Sequence, residues 1–153
     1  MDLILWRHAD AEEGEPDMSR NLTNKGRRQA KRMARWLRSH LPKRVRILCS
    51  PADRARQTAD ALHLPYQVIE EIAPGCSVEE LLKTSGWPQG DNVVMLVGHN
   101  PAISQLASQV LSAKVFPMSL RKGSILWVTS RTREDEPDVV IKAAMVPSML
   151  KSG

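Results

Sequence analysis

Leu3-Ile4-Leu5-Trp6-Arg7-His8 sets the reading of the whole chain: four apolar residues, enough for a short strand, run without a break into two ionisable ones. The same pattern returns twice. Ile47-Leu48-Cys49 leads into Ser50-Pro51-Ala52-Asp53-Arg54, and Val94-Met95-Leu96-Val97 leads into Gly98-His99. Short continuous apolar runs suit strands covered on both faces. Each run, at residues 3–6, 45–49 and 93–97, is followed directly or after a loop by a stretch with helical spacing. This alternation predicts an α/β fold with three layers, in which helices cover both faces of a mostly parallel central sheet.

The helical stretches have recognisable starts. After Thr23, residues Ala30, Met33, Ala34, Leu37 and Leu41 recur at i, i+3, i+4, i+7 and i+11, so this stripe is expected to face the sheet. In Ser50-Pro51-Ala52-Asp53 the serine is expected to cap a second helix, with proline at its first position and the acid completing a capping box. Asn100-Pro101 repeats the cap-then-proline start ahead of Ile103, Leu106, Ala107, Val110 and Leu111. Residues 124–129 and 139–146 read as a late antiparallel hairpin, with the polar stretch 131–137 as its turn. Residues 12–17 are acidic, carry Gly14 and Pro16, and read as a mobile loop, either a lid or a plain surface connection.

Length and composition bound the class. At 153 residues, 42% hydrophobic and 25% charged, the chain suits a single packed domain over residues 1–153, and disordered and fibrous classes fit poorly. Its two cysteines, Cys49 and Cys76, match neither a disulfide framework nor a zinc site. The first residues lack the basic and long apolar segments of a secretion signal, and no run approaches the roughly 20 apolar residues that span a bilayer. The expectation is a cytoplasmic protein with no membrane partner. The net charge of +5 is concentrated between Arg20 and Arg46, which suits either a solvated helix face or an anionic partner. With one Tyr, one Phe and no basic-aromatic interleaving, stacking on bases is poorly served, and no nucleic-acid partner is expected.

In an open parallel sheet the carboxyl ends of strands share one edge, where α/β proteins bind ligands. That edge would gather Arg7, His8, Arg54 and His99. Arginine forks and helix N-termini donate to oxygen anions, and arginine suits bidentate phosphate recognition, so the predicted ligand is phosphate. Arginines beside both histidines would repel a cation, and no carboxylate cluster is evident. Neither metal nor cofactor is expected. A cysteine-phosphatase reading of Cys49 and Arg54 fails because that motif needs five intervening residues and Ser50 to Asp53 are four. Turns of the Gly-x-Gly-x-x-Gly, Gly-Lys-Ser/Thr and Gly-x-Ser-x-Gly types are absent from the sequence.

Four ordered segments, Leu5-Trp6-Arg7-His8-Ala9, Leu22-Thr23-Asn24-Lys25-Gly26 with Gln29-Ala30, Ser50 to Ala59, and Val97-Gly98-His99-Asn100-Pro101, resemble the histidine phosphatase superfamily. Ala9 replaces the more usual glycine. The short length and Ser19-Arg20-Asn21-Leu22-Thr23 look most like the SixA-type phosphohistidine phosphatases, a minimal branch with an extra arginine before its Leu-Thr, and this resemblance adds Arg20 to the site.

The resemblance implies that a neutral His8 attacks phosphorus and forms a phosphohistidine, which water hydrolyses. Arg7, Arg20 and Arg54 would hold the phosphoryl oxygens and disfavour a protonated His8, and His99 would stabilise charge in the transition state. Larger superfamily members add a carboxylate as proton donor. Glu71, with Glu70 beside it, is the candidate here, against the plainer reading of two exposed acids ending a strand. Without such an acid the substrate tilts towards phosphohistidine, whose P–N bond is labile and whose leaving imidazole is weakly basic. The expected partner is therefore a phosphorylated protein bearing phosphohistidine, with phosphate as product. A small phosphate ester, or binding of a phosphorylated partner without turnover, is the alternative.

Overall fold

In the computed structural model, which describes residues 1–90 and 92–151, the strands fall where the apolar runs predict. β1 (Asp2–Arg7), β2 (Val45–Cys49), β3 (Gln67–Val68), β4 (Val93–Gly98), β5 (Ile125–Arg133) and β6 (Glu136–Met145) form one sheet in the order β3-β2-β4-β1-β5-β6. β1, β2, β3 and β4 pair in parallel, and β5 and β6 join antiparallel beside β1. The parallel register aligns Arg7 with Gly98 and Cys49 with Val97, so the three chemistry-bearing strands finish level with one another.

Successive side chains of a strand point to opposite faces, and β1 shows both destinations. Leu3 and Leu5 join the core under α3 (Val78–Ser85) and α4 (Ala102–Ser112), with Leu81, Ile103 and Leu106. Ile4 and Trp6 join the core under α1 (Asn24–His40) and α2 (Asp53–Asp60), with Met33, Leu37, Ala55 and Ala59. This is the three-layer arrangement expected of an α/β sheet with helices on both faces.

α1 begins where its sequence says. The Thr23 side chain accepts from the Gly26 backbone N–H, and Ala30, Met33, Ala34 and Leu37 are buried along one stripe. Leu41 falls just past the last turn as the C-cap. Gly26 is fixed by close approach: a Cβ there would run into the backbone carbonyl of Asp10, so no other residue lets α1 start against the loop after β1.

Three local expectations are corrected. Ser50 does not cap α2. The cap position is Ala52, with no side-chain bond, because the Ser50 hydroxyl accepts from the Ala52 N–H and meets His99 instead. Nor does Asn100 cap α4, which starts after Pro101. Asn100 Oδ1 accepts from the Ser104 hydroxyl, and its Nδ2 donates to the Leu120 carbonyl. The hairpin is also longer than the polar stretch suggested. Glu134 and Asp135, both at positive φ, make a two-residue turn, and Pro137 is accommodated on the edge strand β6. α3 was not evident from periodicity, and the short β3 was expected only as the strand that Glu70 and Glu71 would end.

Candidate active site

Arg7 ends β1, and His8 and Ala9 leave the sheet at its carboxyl edge. The His8 N–H donates to the Gly98 carbonyl at 3.0 Å, which ties the loop after β1 to the end of β4. Across this junction the His8 and His99 rings lie 5.0 Å apart between centroids, tilted by 51°. Both are buried, with 8% and 5% of their surface exposed.

The hydrogen bond made by one ring nitrogen decides what the other can do. His8 Nδ1 lies 2.7 Å from the Ala9 carbonyl oxygen. A carbonyl can only accept, so Nδ1 carries the proton in the neutral ring and the lone pair is left on Nε2. Burial pushes the His8 pKa down to about 4; the Ala9 bond opposes this, and the charges of Arg54, Arg7 and Arg20 add to it. His99 is lowered further, to about 3, first by burial and then by His8 and Arg54. The arginines therefore assist, while desolvation does most of the work of keeping His8 unprotonated.

This yields a pH prediction. Below about pH 6.5 the unfolded chain takes up protons on His8 and His99 that the folded chain resists. Stability should therefore fall as pH drops from about 6.5 towards 4 and gain nothing from these groups above that window. Ring carbon shifts followed by NMR should show both histidines neutral at pH 5.5, and midpoints near 6.5 for the pair would contradict the buried geometry.

Arg54 stands in the first turn of α2 and is 4% exposed. The hydroxyl of Thr58, one turn later, donates to the Arg54 carbonyl at 2.7 Å and accepts from the Ala9 N–H at 3.0 Å, which locks α2 against the loop that carries His8. Arg7 Nη1 donates to the Leu120 carbonyl at 2.9 Å. The Nε atoms of Arg7 and Arg54 and the Nδ1 of His99 are buried without a hydrogen-bond partner, an unusual concentration of unmet polar groups.

Arg20 approaches from the loop before α1. Its Nε donates to the Glu12 carbonyl at 2.7 Å, and its Nη1 meets Asp17 Oδ1 at 3.1 Å. The other carboxylate oxygen of Asp17 lies 3.2 Å from Arg54 Nη2, and the Asp17 carbonyl accepts from Arg54 Nη1 at 2.9 Å. The acidic loop of residues 12–17 is thus joined to the site by Asp17, whose carboxylate spans two of the expected anion-binding arginines. Hydrogen bonding from Arg20 leads the causes that lower its pKa, so it stands ionised.

The structure brings together every expected site residue: Arg7, His8, Arg20, Arg54 and His99. It does not bring in the acids. Glu70 and Glu71 are exposed on a 3-10 turn after β3 and make no bond to a site residue among the described residues. Trp87 packs against the core under α3 and α4 and lines a cleft with Met1, at the opposite end of β1 from the histidines. Cys49 is inert, its thiol pushed up to about 12 by burial.

Sequence reasoning missed Asp17 and the new use of Ser50. It also missed Gly123, which holds φ +75° and whose N–H reaches the carbonyls of Arg7 and His8 at 3.0 Å, while its own carbonyl accepts from Trp6 Nε1. The signal for Asp17 was its place three residues before Arg20 in a turn; Gly123 gave none beyond being a glycine ahead of a strand.

Comparison with known proteins gives the same picture. The family model of the histidine phosphatase superfamily (branch 1) matches residues 3–73. The phosphohistidine phosphatase SixA of Escherichia coli is 30% identical over 128 residues, which cover 77% of this chain and 79% of that protein. An uncharacterized Mycobacterium tuberculosis protein is 38% identical over 110 residues, and the match spans 66% of either chain, about two thirds of that relative's length. The structure of the protein histidine phosphatase SixA complexed with tungstate superposes with a TM-score of 0.75 at 26% identity, covering 99% of this chain and 100% of that one. The order of the motifs along the chain, their meeting at one sheet edge and these likenesses have a single reading: the chain belongs to the histidine phosphatase superfamily, among its SixA-like members.

Proposed function

We propose that the protein is a phosphatase, acting in the cytoplasm on phosphohistidine carried by another protein, with His8 as nucleophile. The observation that carries this reading is the state of His8. Its Nδ1 proton is committed to Ala9, its Nε2 lone pair is free, and its ring is neutral well below physiological pH among three arginines. Attack of Nε2 on phosphorus forms a P–N bond as the substrate's own P–N bond breaks, and the departing imidazole keeps the electron pair and takes up a proton. Water then attacks phosphorus, inorganic phosphate leaves and His8 is restored.

Arg7, Arg20 and Arg54 hold the phosphoryl oxygens, and His99 offsets charge on an equatorial oxygen in the transition state. A phosphate arriving beside His99 favours the protonated ring, since an opposite charge within a few ångströms raises a histidine pKa. To enter, the phosphoryl group displaces the Asp17 carboxylate from Arg20 and Arg54, one anion replacing another.

The preference for phosphohistidine rests on the proton donor. Glu70 and Glu71 are exposed and unconnected to the site, and Asp17 is held ionised by its arginines, so none of these three offers a neutral carboxylic acid to protonate an alkoxide. A leaving imidazole needs less help. Turnover of a phosphohistidine-bearing protein domain should exceed that of phosphoserine and sugar phosphates, whose leaving groups are alkoxides, by about a hundredfold or more in kcat/KM, the scale of one missing general acid. Faster hydrolysis of a sugar phosphate would assign the site to small esters. Tight phosphate binding with no hydrolysis of any of them would make the protein a binding module.

A further inference from the structure

Beside the catalytic edge lies a cleft of about 400 Å³ that the chemistry above leaves unused. Four of its lining residues, Arg7, Lys25, Arg121 and Lys122, are cations, and the other four, Gln29, Val146, Pro147 and Ser148, are uncharged. Arg7 belongs to this cleft and to the phosphate site alike, so the two form one continuous surface.

The segment carrying Arg121 and Lys122 is fixed in place. Gly123, the next residue, bonds through its N–H to the carbonyls of Arg7 and His8, and its Cα packs so closely on Pro147 and Gln29 that a Cβ would meet the proline ring at 2.9 Å. Asp10 is the acid at the margin, and it is already engaged: Lys122 Nζ lies 3.0 Å from Oδ1, and the Thr23 hydroxyl donates to Oδ2. Among the described residues Lys25 and Arg121 are exposed and have no ion pair. Lys25 adds to the charges that lower the Asp10 pKa, so one carboxylate answers two lysines and the cleft keeps an excess of cations. Such an excess in a concave site next to a reaction centre raises the local concentration of anions and selects for negative charge.

We propose that this cleft is a second anion subsite, which takes acidic side chains on the surface of the phosphoprotein substrate next to its phosphohistidine, with Lys25 and Arg121 as the specificity-determining residues. The inference rests on the phosphohistidine reading above and adds what the partner must carry around the phosphorylated residue: aspartate or glutamate on the flank that faces Arg121. Among the described residues Lys25 and Arg121 make no bond to His8 or His99, so their removal should act on recognition.

The test uses Lys25→Gln with Arg121→Gln in the full chain, leaving Lys122 to its pair with Asp10. Two substrates are a phosphohistidine-bearing domain with Asp and Glu flanking the histidine and the same domain with those residues changed to Asn and Gln. A third is p-nitrophenyl phosphate, which has one anionic group. On the acidic domain the double variant should raise KM about tenfold, with kcat within twofold and a shallower dependence on ionic strength. On the neutralised domain and on p-nitrophenyl phosphate it should match wild type within twofold.

Equal losses on all three substrates, or no loss on the acidic domain, would overturn the subsite. Weaker inhibition by a small molecule with two anionic groups, such as 3-phosphoglycerate, with KM for the acidic domain unchanged, would also overturn it, by giving the cleft to a metabolite. Failure of the wild type to hydrolyse any phosphohistidine substrate refutes the functional reading itself and is recognisable apart from these outcomes.

Discussion

Changing His8 to alanine is expected to lower phosphate release at least about ten-thousandfold and to abolish the phosphoenzyme, while the protein stays folded. The size follows from the path: without Nε2 no covalent intermediate forms, and water must attack the substrate directly with only the arginines and His99 in support. The variant should still melt within a few degrees of wild type. Among the described residues the His8 side chain makes one hydrogen bond, to the Ala9 carbonyl, and its truncation relieves a buried, desolvated group while leaving the His8 N–H bond to Gly98 in place. Phosphohistidine survives base and is lost in acid, so wild-type enzyme, separated from labelled substrate after the quench, should keep its own label in base and lose it in acid, and His8→Ala enzyme should carry none. Because residues of one catalytic unit are not additive, His8→Ala combined with His99→Ala should be little worse than His8→Ala alone. Base-stable label on His8→Ala would move the nucleophile elsewhere and sink the proposed mechanism.

Much of this was legible in the sequence because three strands announce themselves by apolar runs and then stop at ionisable residues. Period fixes the strands, parallel pairing fixes that their ends coincide, and Arg7, His8, Arg54 and His99 follow from position alone. What the sequence hides is the economy of small polar groups. Ser50 and Asn100 look like helix caps, since cap preferences are local, yet tertiary partners claim both side chains: His99 takes the Ser50 hydroxyl, and Ser104 and Leu120 take the Asn100 amide. The same limit applies to Asp17. As part of an acidic loop it reads as solvated charge, and only the folded chain brings its carboxylate onto Arg20 and Arg54, residues that lie on different elements. Glu70 and Glu71 match the plainer of their two readings: they follow a short strand on a 3-10 turn with both carboxylates in solvent.

Replacing Arg54 with methionine should cost about a hundredfold to a thousandfold in kcat/KM and barely change the melting temperature, a separation that marks a residue held for chemistry. The side chain is almost fully buried, yet its guanidinium leaves Nε unpartnered and spends its other nitrogens on Asp17, a residue whose own side chain is half exposed. A buried cation so poorly repaid gives the fold little, and methionine keeps most of its volume without the charge. To the transition state it gives a fixed pair of donors in a dry site, where losing one preorganised donor commonly costs about 3–4 kcal/mol. Arg54→Lys tests geometry against charge. An ammonium restores the charge but not the planar fork, so activity should recover only in part and remain about tenfold or more below wild type. Asp17 supplies the internal control. With its carboxylate removed as Asp17→Asn, phosphate should bind Arg20 and Arg54 without a competing anion, and product inhibition should tighten; in the Arg54→Met background that gain should shrink, because one of the two arginines the anions compete for is gone. A fully active Arg54→Met would show that Arg7 and Arg20 suffice, and a melting temperature lowered by ten degrees or more would show that Arg54 holds α2 rather than the phosphoryl group.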